Sequence, residues 1–192
     1  MAQAEKKELI TPEEYFAMEE AVEHKSEYYH GEIFAMTGAS HNHNIIAVNI
    51  MASLHGSLSH SDCMTYTGDM KVQVDEARHY VYPDVSVVCG NIEFVGDRDD
   101  IIANPVVIFE ILSRSTQSYD RGDKFKAYRK IRSLRDYILV DQYACHVEYF
   151  FKNKAGRWEL DEFETLEESF KIQSLDVDLS LATIYYRVIN EI

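Results

Sequence analysis

Cysteine, proline, tryptophan and basic side chains are all scarce in this chain. Its 192 residues hold three cysteines, three prolines and one tryptophan. Cys63, Cys89 and Cys145 are odd in number and lack metal-ligand spacing, which predicts buried free thiols in a reducing cytoplasm and argues against a disulfide framework. No apolar stretch approaches the length of a membrane span, and the polar, charged segment Met1–Ile10 does not read as a signal peptide. Lys and Arg number 19 against 33 Asp and Glu, a formal net charge of −14. Taken as a whole, that charge argues against a nucleic-acid partner.

The residues that are present change the picture. Apolar residues make up 46% of the chain, with 13 Tyr and nine Phe, enough to bury a core. The length predicts a single domain over 1–192, with residues 1–10 as a flexible N-terminal tail. The charge is also unevenly spread. Between Arg114 and Arg135 stand eight Lys or Arg (114, 121, 124, 126, 129, 130, 132 and 135) and only Asp120 and Asp123. This block carries +6 and leaves −20 for the remainder. A block of this kind is either a solvated helix face or a phosphate-binding patch.

Local patterns predict alternating helices and strands. Thr11 as N-cap, Pro12 at the first helical position and Glu14 at the capping-box position start a helix that runs to Val22. Tyr28–Met36, with Gly31 inside it, reads as a strand or hairpin. Ser40 caps a second helix, whose face is formed by Ala47, Ile50, Met51, Leu54 and Leu58 and which ends near Gly56–His60. Strands follow at Cys63–Tyr66, Met70–Val74, Val85–Cys89 and Val106–Leu112, with Gly90–Asn104 read as a connection. A basic helix over Asp120–Ile131 comes next. Tyr137–Val140, His146–Phe151 and Trp158–Phe163 then form an antiparallel meander with a turn at Asn153–Gly156, and a short helix near Leu181–Val188 closes the chain. The fold class is α/β, a mixed β-sheet core flanked by helices with an added meander.

Glu110 closes the run Val106-Val107-Ile108-Phe109, where a lone carboxylate costs roughly several kcal/mol unless paired, hydrogen-bonded or bound to a metal. Asp84 heads a second core run after Pro83. If the two strands are antiparallel neighbours, Asp84 comes to lie beside Glu110. Taken singly, Asp84 suits a turn after proline and Glu110 a buried hydrogen-bonded acid; together they suit a hard cation. Asp84, Glu110 and the carbonyl of Ile111 can then hold Mg²⁺ or Mn²⁺ with several waters. Such an ion stabilises charge on a phosphodiester and activates a water. Lys124 shares a helical face with Tyr128 and Ile131 and leans towards the apolar side, where its ammonium can reach the water or the scissile phosphate. A lysine snorkelling at a helix boundary is the plainer reading.

Tyr82-Pro83-Asp84-Val85-Ser86-Val87-Val88, Asn104-Pro105 and Glu110-Ile111-Leu112-Ser113 resemble the putative restriction endonuclease family of the PD-(D/E)XK nuclease superfamily. The likeness continues through Ser115-Thr116, Tyr119-Asp120-Arg121-Gly122, Lys124-Phe125, Tyr128 and Leu134 to Asp141. Upstream it takes in Gly31-Glu32-Ile33, Met36, Gly38-Ala39-Ser40 and His43-Asn44, so nearly the whole chain is involved. The resemblance implies a restriction-endonuclease-like fold, with Asp84 and Glu110 in the metal-binding positions. Leu112 stands where the lysine of ExK belongs, and the family is thought to supply that function from the next helix, which matches Lys124. Lys71 is the next candidate.

Other residues are placed around this centre. His41 and His43 lack a third ligand for zinc; His43 faces inward, as a packed histidine or at the site edge. Glu32 can add a third carboxylate or be an ordinary hairpin residue. Ser113, Ser115, Thr116 and Arg121 can meet phosphate, although loops and helix starts need such hydroxyls anyway. The expectation is a cytoplasmic, Mg²⁺-dependent endonuclease acting on DNA as a homodimer. Two other readings are a nucleic-acid-binding or assembly protein that keeps the fold without cleavage, and a metal enzyme acting on small phosphoesters.

Overall fold

The computed structural model describes residues 9–75 and 78–189. Most of the expected N-terminal tail, residues 1–8, lies outside the described residues. Ile10 is fastened: its N–H donates to the Gly31 carbonyl at 3.0 Å and its carbonyl accepts the Tyr28 hydroxyl at 2.8 Å.

Helix α1 (Pro12–Glu20) begins with the expected reciprocal capping box between Thr11 and Glu14. Strands β1 (Ser26–Tyr29) and β2 (Glu32–Ala35) form a hairpin. Its turn residues His30 and Gly31 have φ of 48° and 95°, the pair of positive values that a tight hairpin with matched twist requires. Helix α2 (His41–Ser57) is capped by the Ser40 hydroxyl. Strands β3 (Cys63–Thr67), β4 (Lys71–Asp75), β5 (His79–Val81) and β6 (Val85–Cys89) follow.

The segment Gly90–Asn104 is more than the connection its polar composition predicts. It contains β7 (Phe94–Val95) and β8 (Arg98–Ile102), because Ile101 and Ile102 are fully buried and anchor the latter strand. After β9 (Val107–Leu112) the basic helix expected over Asp120–Ile131 starts and stops earlier, as one helical run of α3 (Gln117–Tyr119), a π-turn over Asp120–Lys124 and α4 (Phe125–Tyr128). Strands β10 (Asp136–Asp141), β11 (Val147–Lys152) and β12 (Trp158–Phe163) form the expected meander. A small hairpin, β13 (Ser169–Ile172) and β14 (Val177–Ser180), precedes α5 (Leu181–Ile184).

The strands make two six-stranded sheets, ordered β2-β1-β5-β4-β8-β7 and β12-β11-β10-β9-β6-β3, plus the β13-β14 pair. Both large sheets are mixed, with β4–β8 and β9–β10 as their parallel pairs. The chain crosses between them more than once, and Tyr82-Pro83-Asp84, which joins β5 to β6, is the crossing that bears Asp84. Residue alternation in β9 sets its two faces. Val107, Phe109 and Ile111 pack with Ile46, Ile50 and Leu54 of α2, while Ile108 and Leu112 pack with α4 and with Val72 and Val81 of the other sheet. Tyr15, Tyr28, Tyr80 and Ile101 form a third cluster beneath α1.

The cysteines overturn one expectation. Cys63 and Cys89 are joined by a disulfide and only Cys145 is free. Antiparallel pairing of β3 with β6 sets the two cysteines directly opposite, with Cα atoms 3.9 Å apart. A separation of 26 residues gives no hint of that register.

Candidate functional site

Antiparallel pairing of β6 with β9 sets Val85 against Phe109 and so carries Asp84 to the level of Glu110. Glu110 is even-numbered in β9 and turns with Ile108 and Leu112 towards α4, away from α2. Asp84 is held from two sides: Oδ2 accepts the Ile111 N–H at 2.6 Å, and Oδ1 faces His43 Nε2 at 3.2 Å. His43 reaches it from the first turn of α2, where the Ser40 hydroxyl accepts its N–H. The inward histidine therefore lies at the edge of the acid pair.

Lys124 is buried and completes the centre. Its Nζ lies 2.9 Å from Glu110 Oε1, 3.0 Å from Glu27 Oε1 and 3.8 Å from Asp120 Oδ1. The Tyr128 hydroxyl donates to Glu110 Oε1 at 2.7 Å. Burial and like charge push the Glu110 carboxyl well above its ordinary range, against the pull of Lys124; the like charges are Asp120, Asp84 and Glu27. Asp120 is raised as well, again chiefly by burial. Burial works to lower Lys124, but Glu110 and Glu27 outweigh it and raise its pKa well above the ordinary value. Burial is the first cause at both acids, and three carboxylates within 3.8 Å of one ammonium, those of Glu110, Glu27 and Asp120, make Lys124 hold its proton tightly. Behind it, burial lowers His79 to about 4, which keeps that imidazole neutral.

Sequence reasoning missed Glu27 and Asp120. Asp120 stands four residues before Lys124, a spacing that signals a helical ion pair. The π-turn, a wider coil than an α-helix, carries both residues into the interior. No pattern marks Glu27, because its contact runs from β1 to the π-turn, far along the chain; the same Oε1 accepts the Tyr82 N–H at 3.3 Å.

The remaining candidates are placed elsewhere. Glu32 lies at the turn end of the hairpin opposite Tyr29, while Glu27 of the same hairpin enters the site. Lys71 is fully buried but pairs with Glu19 amid the rings of Tyr15, Phe16 and Tyr82. Arg121 is held by Glu148 at 2.7 Å and Gln117 at 2.9 Å. Ser113 shares its hydroxyl with Ser115 and Thr116, each at 3.0 Å.

Among the described residues no three His, Cys, Asp or Glu side chains converge to hold an ion by themselves. The donors present suit a cation that keeps waters of its own. Two carboxylates and a main-chain carbonyl are the hard oxygens Mg²⁺ takes, and the surplus of negative charge favours one. N–H and C=O of one strand residue point to the same edge, so the Ile111 carbonyl faces the Asp84 side with its N–H.

The comparisons with known proteins agree with this architecture. Residues 12–183 match the family model Uma2, described as Putative restriction endonuclease. Two proteins of Synechocystis sp. (strain ATCC 27184 / PCC 6803 / Kazusa) are each 33% identical to this chain. Uncharacterized protein slr1290 aligns over 92% of this chain and 91% of its own length, and uncharacterized protein sll1609 over 87% and 96%. The crystal structure of a putative nuclease belonging to DUF820 from Anabaena variabilis ATCC 29413 superposes with a TM-score of 0.77 at 18% identity. The match covers 94% of this chain and 99% of that one. At that identity the likeness is one of fold.

Proposed function

Since the chain belongs to the Uma2 family of putative restriction endonucleases, we propose that it is a divalent-metal-dependent endonuclease that hydrolyses phosphodiester bonds in DNA. The observation that carries this reading is Asp84, just ahead of β6, brought level with Glu110 inside β9 by the antiparallel register, with Lys124 Nζ 2.9 Å from Glu110. Asp84, Glu110 and the Ile111 carbonyl would hold Mg²⁺ or Mn²⁺. The bound ion supplies charge stabilisation at the phosphate and a water of lowered pKa.

The protein's own residues orient and neutralise. The Ile111 N–H and His43 fix the two oxygens of Asp84. Tyr128 fixes Glu110, and Lys124 brings a permanent positive charge to the scissile phosphate or the attacking water. Glu110, Glu27 and Asp120 keep Lys124 protonated. The unit of action is a homodimer of one-domain chains, each carrying its own site.

One observation favours a second reading, a binding or assembly protein without cleavage: Leu112, where the strand lysine of the nuclease pattern belongs, is buried in the core. Relaxation of supercoiled plasmid in Mg²⁺ but not in EDTA supports the nuclease. Binding without cutting supports the alternative. Turnover of nucleotide monoesters but not plasmid identifies a small-phosphoester enzyme.

A further inference from the structure

A groove of about 500 Å³ opens at the carboxyl end of the parallel pair β9–β10, walled by Ser40, Asn42, Arg114, Gln142 and Tyr143. The volume is that of a small-molecule site. The groove is also a built feature. Gln142, 2% exposed, donates from Nε2 to the Leu112 carbonyl at 2.7 Å, and its Oε1 accepts the Ser40 hydroxyl. Asp141 Oδ1 accepts the N–H of Tyr143 at 2.7 Å and of Ala144 at 3.3 Å, which fixes the turn that presents Tyr143. Tyr143 is nonetheless 47% exposed, and the Arg114 guanidinium lies 5.0 Å from its ring centroid. Arg98 and Arg121 are both held by carboxylates, whereas the contact the structure gives Arg114 is this ring.

The groove adjoins the acid pair. Leu112, whose carbonyl accepts from the groove residue Gln142, is two residues beyond Glu110, about 6.8 Å along the strand. Ser40 caps the turn that carries His43 to Asp84. The Arg114 guanidinium lies over one face of the half-exposed Tyr143 ring, which leaves the other face to stack a nucleobase of any identity and the guanidinium to meet its phosphate. A base paired inside a duplex cannot enter a concave groove to reach that face.

We propose that this groove binds a single unpaired nucleotide flanking the cleaved phosphate, its base stacked with Tyr143 and its phosphate on Arg114. The preferred substrate is then single-stranded or frayed DNA. The proposal rests on the nuclease reading for its position beside the cut, but the binding it describes needs neither metal nor hydrolysis.

The test is fluorescence anisotropy in EDTA with a short fluorescein-labelled single-stranded oligodeoxynucleotide and the matching duplex. Wild-type protein should bind the single strand more tightly. Tyr143→Leu should weaken single-strand binding by roughly 5- to 100-fold, the scale of losing one stacked base, whereas Tyr143→Phe retains it. Arg114→Ala should weaken it and flatten its salt dependence. Equal affinity of wild type and Tyr143→Leu, at equal folded fraction, overturns the proposal, as does absence of single-strand binding by wild type. Plasmid cleavage on the same preparations separates the two ideas. Cutting with an unaffected Tyr143→Leu sinks the groove alone, and a Tyr143-dependent affinity without cutting sinks the nuclease alone.

Discussion

Asp84 Oδ2 accepts the main-chain N–H of Ile111 across 2.6 Å, so the acid heading β6 is tied to the residue that follows the acid of β9. An asparagine can make the same bond without the charge. Asp84→Asn should therefore fold with a stability loss below about 1 kcal/mol, whereas Asp84→Ala, which strands a buried N–H, should lose about 1–3 kcal/mol. Urea unfolding of the two variants checks this order, and equal losses would show that the bond does not hold the strands.

Glu110 gives a pH dependence whose sign is fixed by its raised pKa. A carboxyl with a folded pKa above its ordinary 4.5 contributes stability that is full below 4.5 and lost as pH rises through the folded value. Glu110→Gln removes that loss, so without metal it should melt higher than wild type at pH 8, with the gap closing below pH 4.5. Added Mn²⁺ should raise the melting temperature of wild type and not of the variant. Thermal melts across pH, with and without the ion, read both effects.

Lys124 has two duties that one substitution separates. It opposes a surplus of buried acids, and breaking such a buried pair costs about 3–5 kcal/mol. It also supplies the charge beside the phosphate, worth about a hundredfold or more in turnover. Lys124→Ala should therefore be less stable without metal. In Mg²⁺ it should recover fold but not activity, and it should bind the ion more tightly because a competing cation is gone. Calorimetric titration with Mn²⁺ and cleavage rates on the same protein test this, and weaker metal binding would argue against the assignment.

The basic block divides by partner. Lys126 and Arg132 are exposed, whereas Arg121 is held by Glu148, 10% exposed. If the block tracks a phosphate backbone, neutralising Lys126 and Arg132 together should lower the salt slope of DNA binding by about 2. Arg121→Ala should leave the slope and cost stability, because it leaves Glu148 without its partner. A slope change confined to Arg121→Ala would reverse these roles.

Much of this was legible in the sequence because it depends on local chemistry. The Thr11 capping box, the Ser40 cap and the apolar face of α2 need only residues within a turn of one another. The Asp84–Glu110 juxtaposition was reachable because two buried runs each carried a misplaced acid. What escaped depends on register or on contacts between distant elements: the Cys63–Cys89 bond needs the β3–β6 alignment, and Glu27 of β1 meets Lys124 of the π-turn. The π-turn escaped too, since no residue pattern marks where a helix widens; Asp120, four residues before Lys124, shares its helical face and could have been read from that spacing.

The most direct test is a time course of supercoiled plasmid with Mn²⁺ or Mg²⁺, using wild type, Asp84→Asn and Glu110→Gln at equal folded fraction. Wild type should nick and linearise the plasmid only when the divalent ion is present, and both variants should be inactive at every ion concentration tried. Metal-dependent cutting by either variant at the wild-type rate would contradict a metal site built on Asp84 and Glu110.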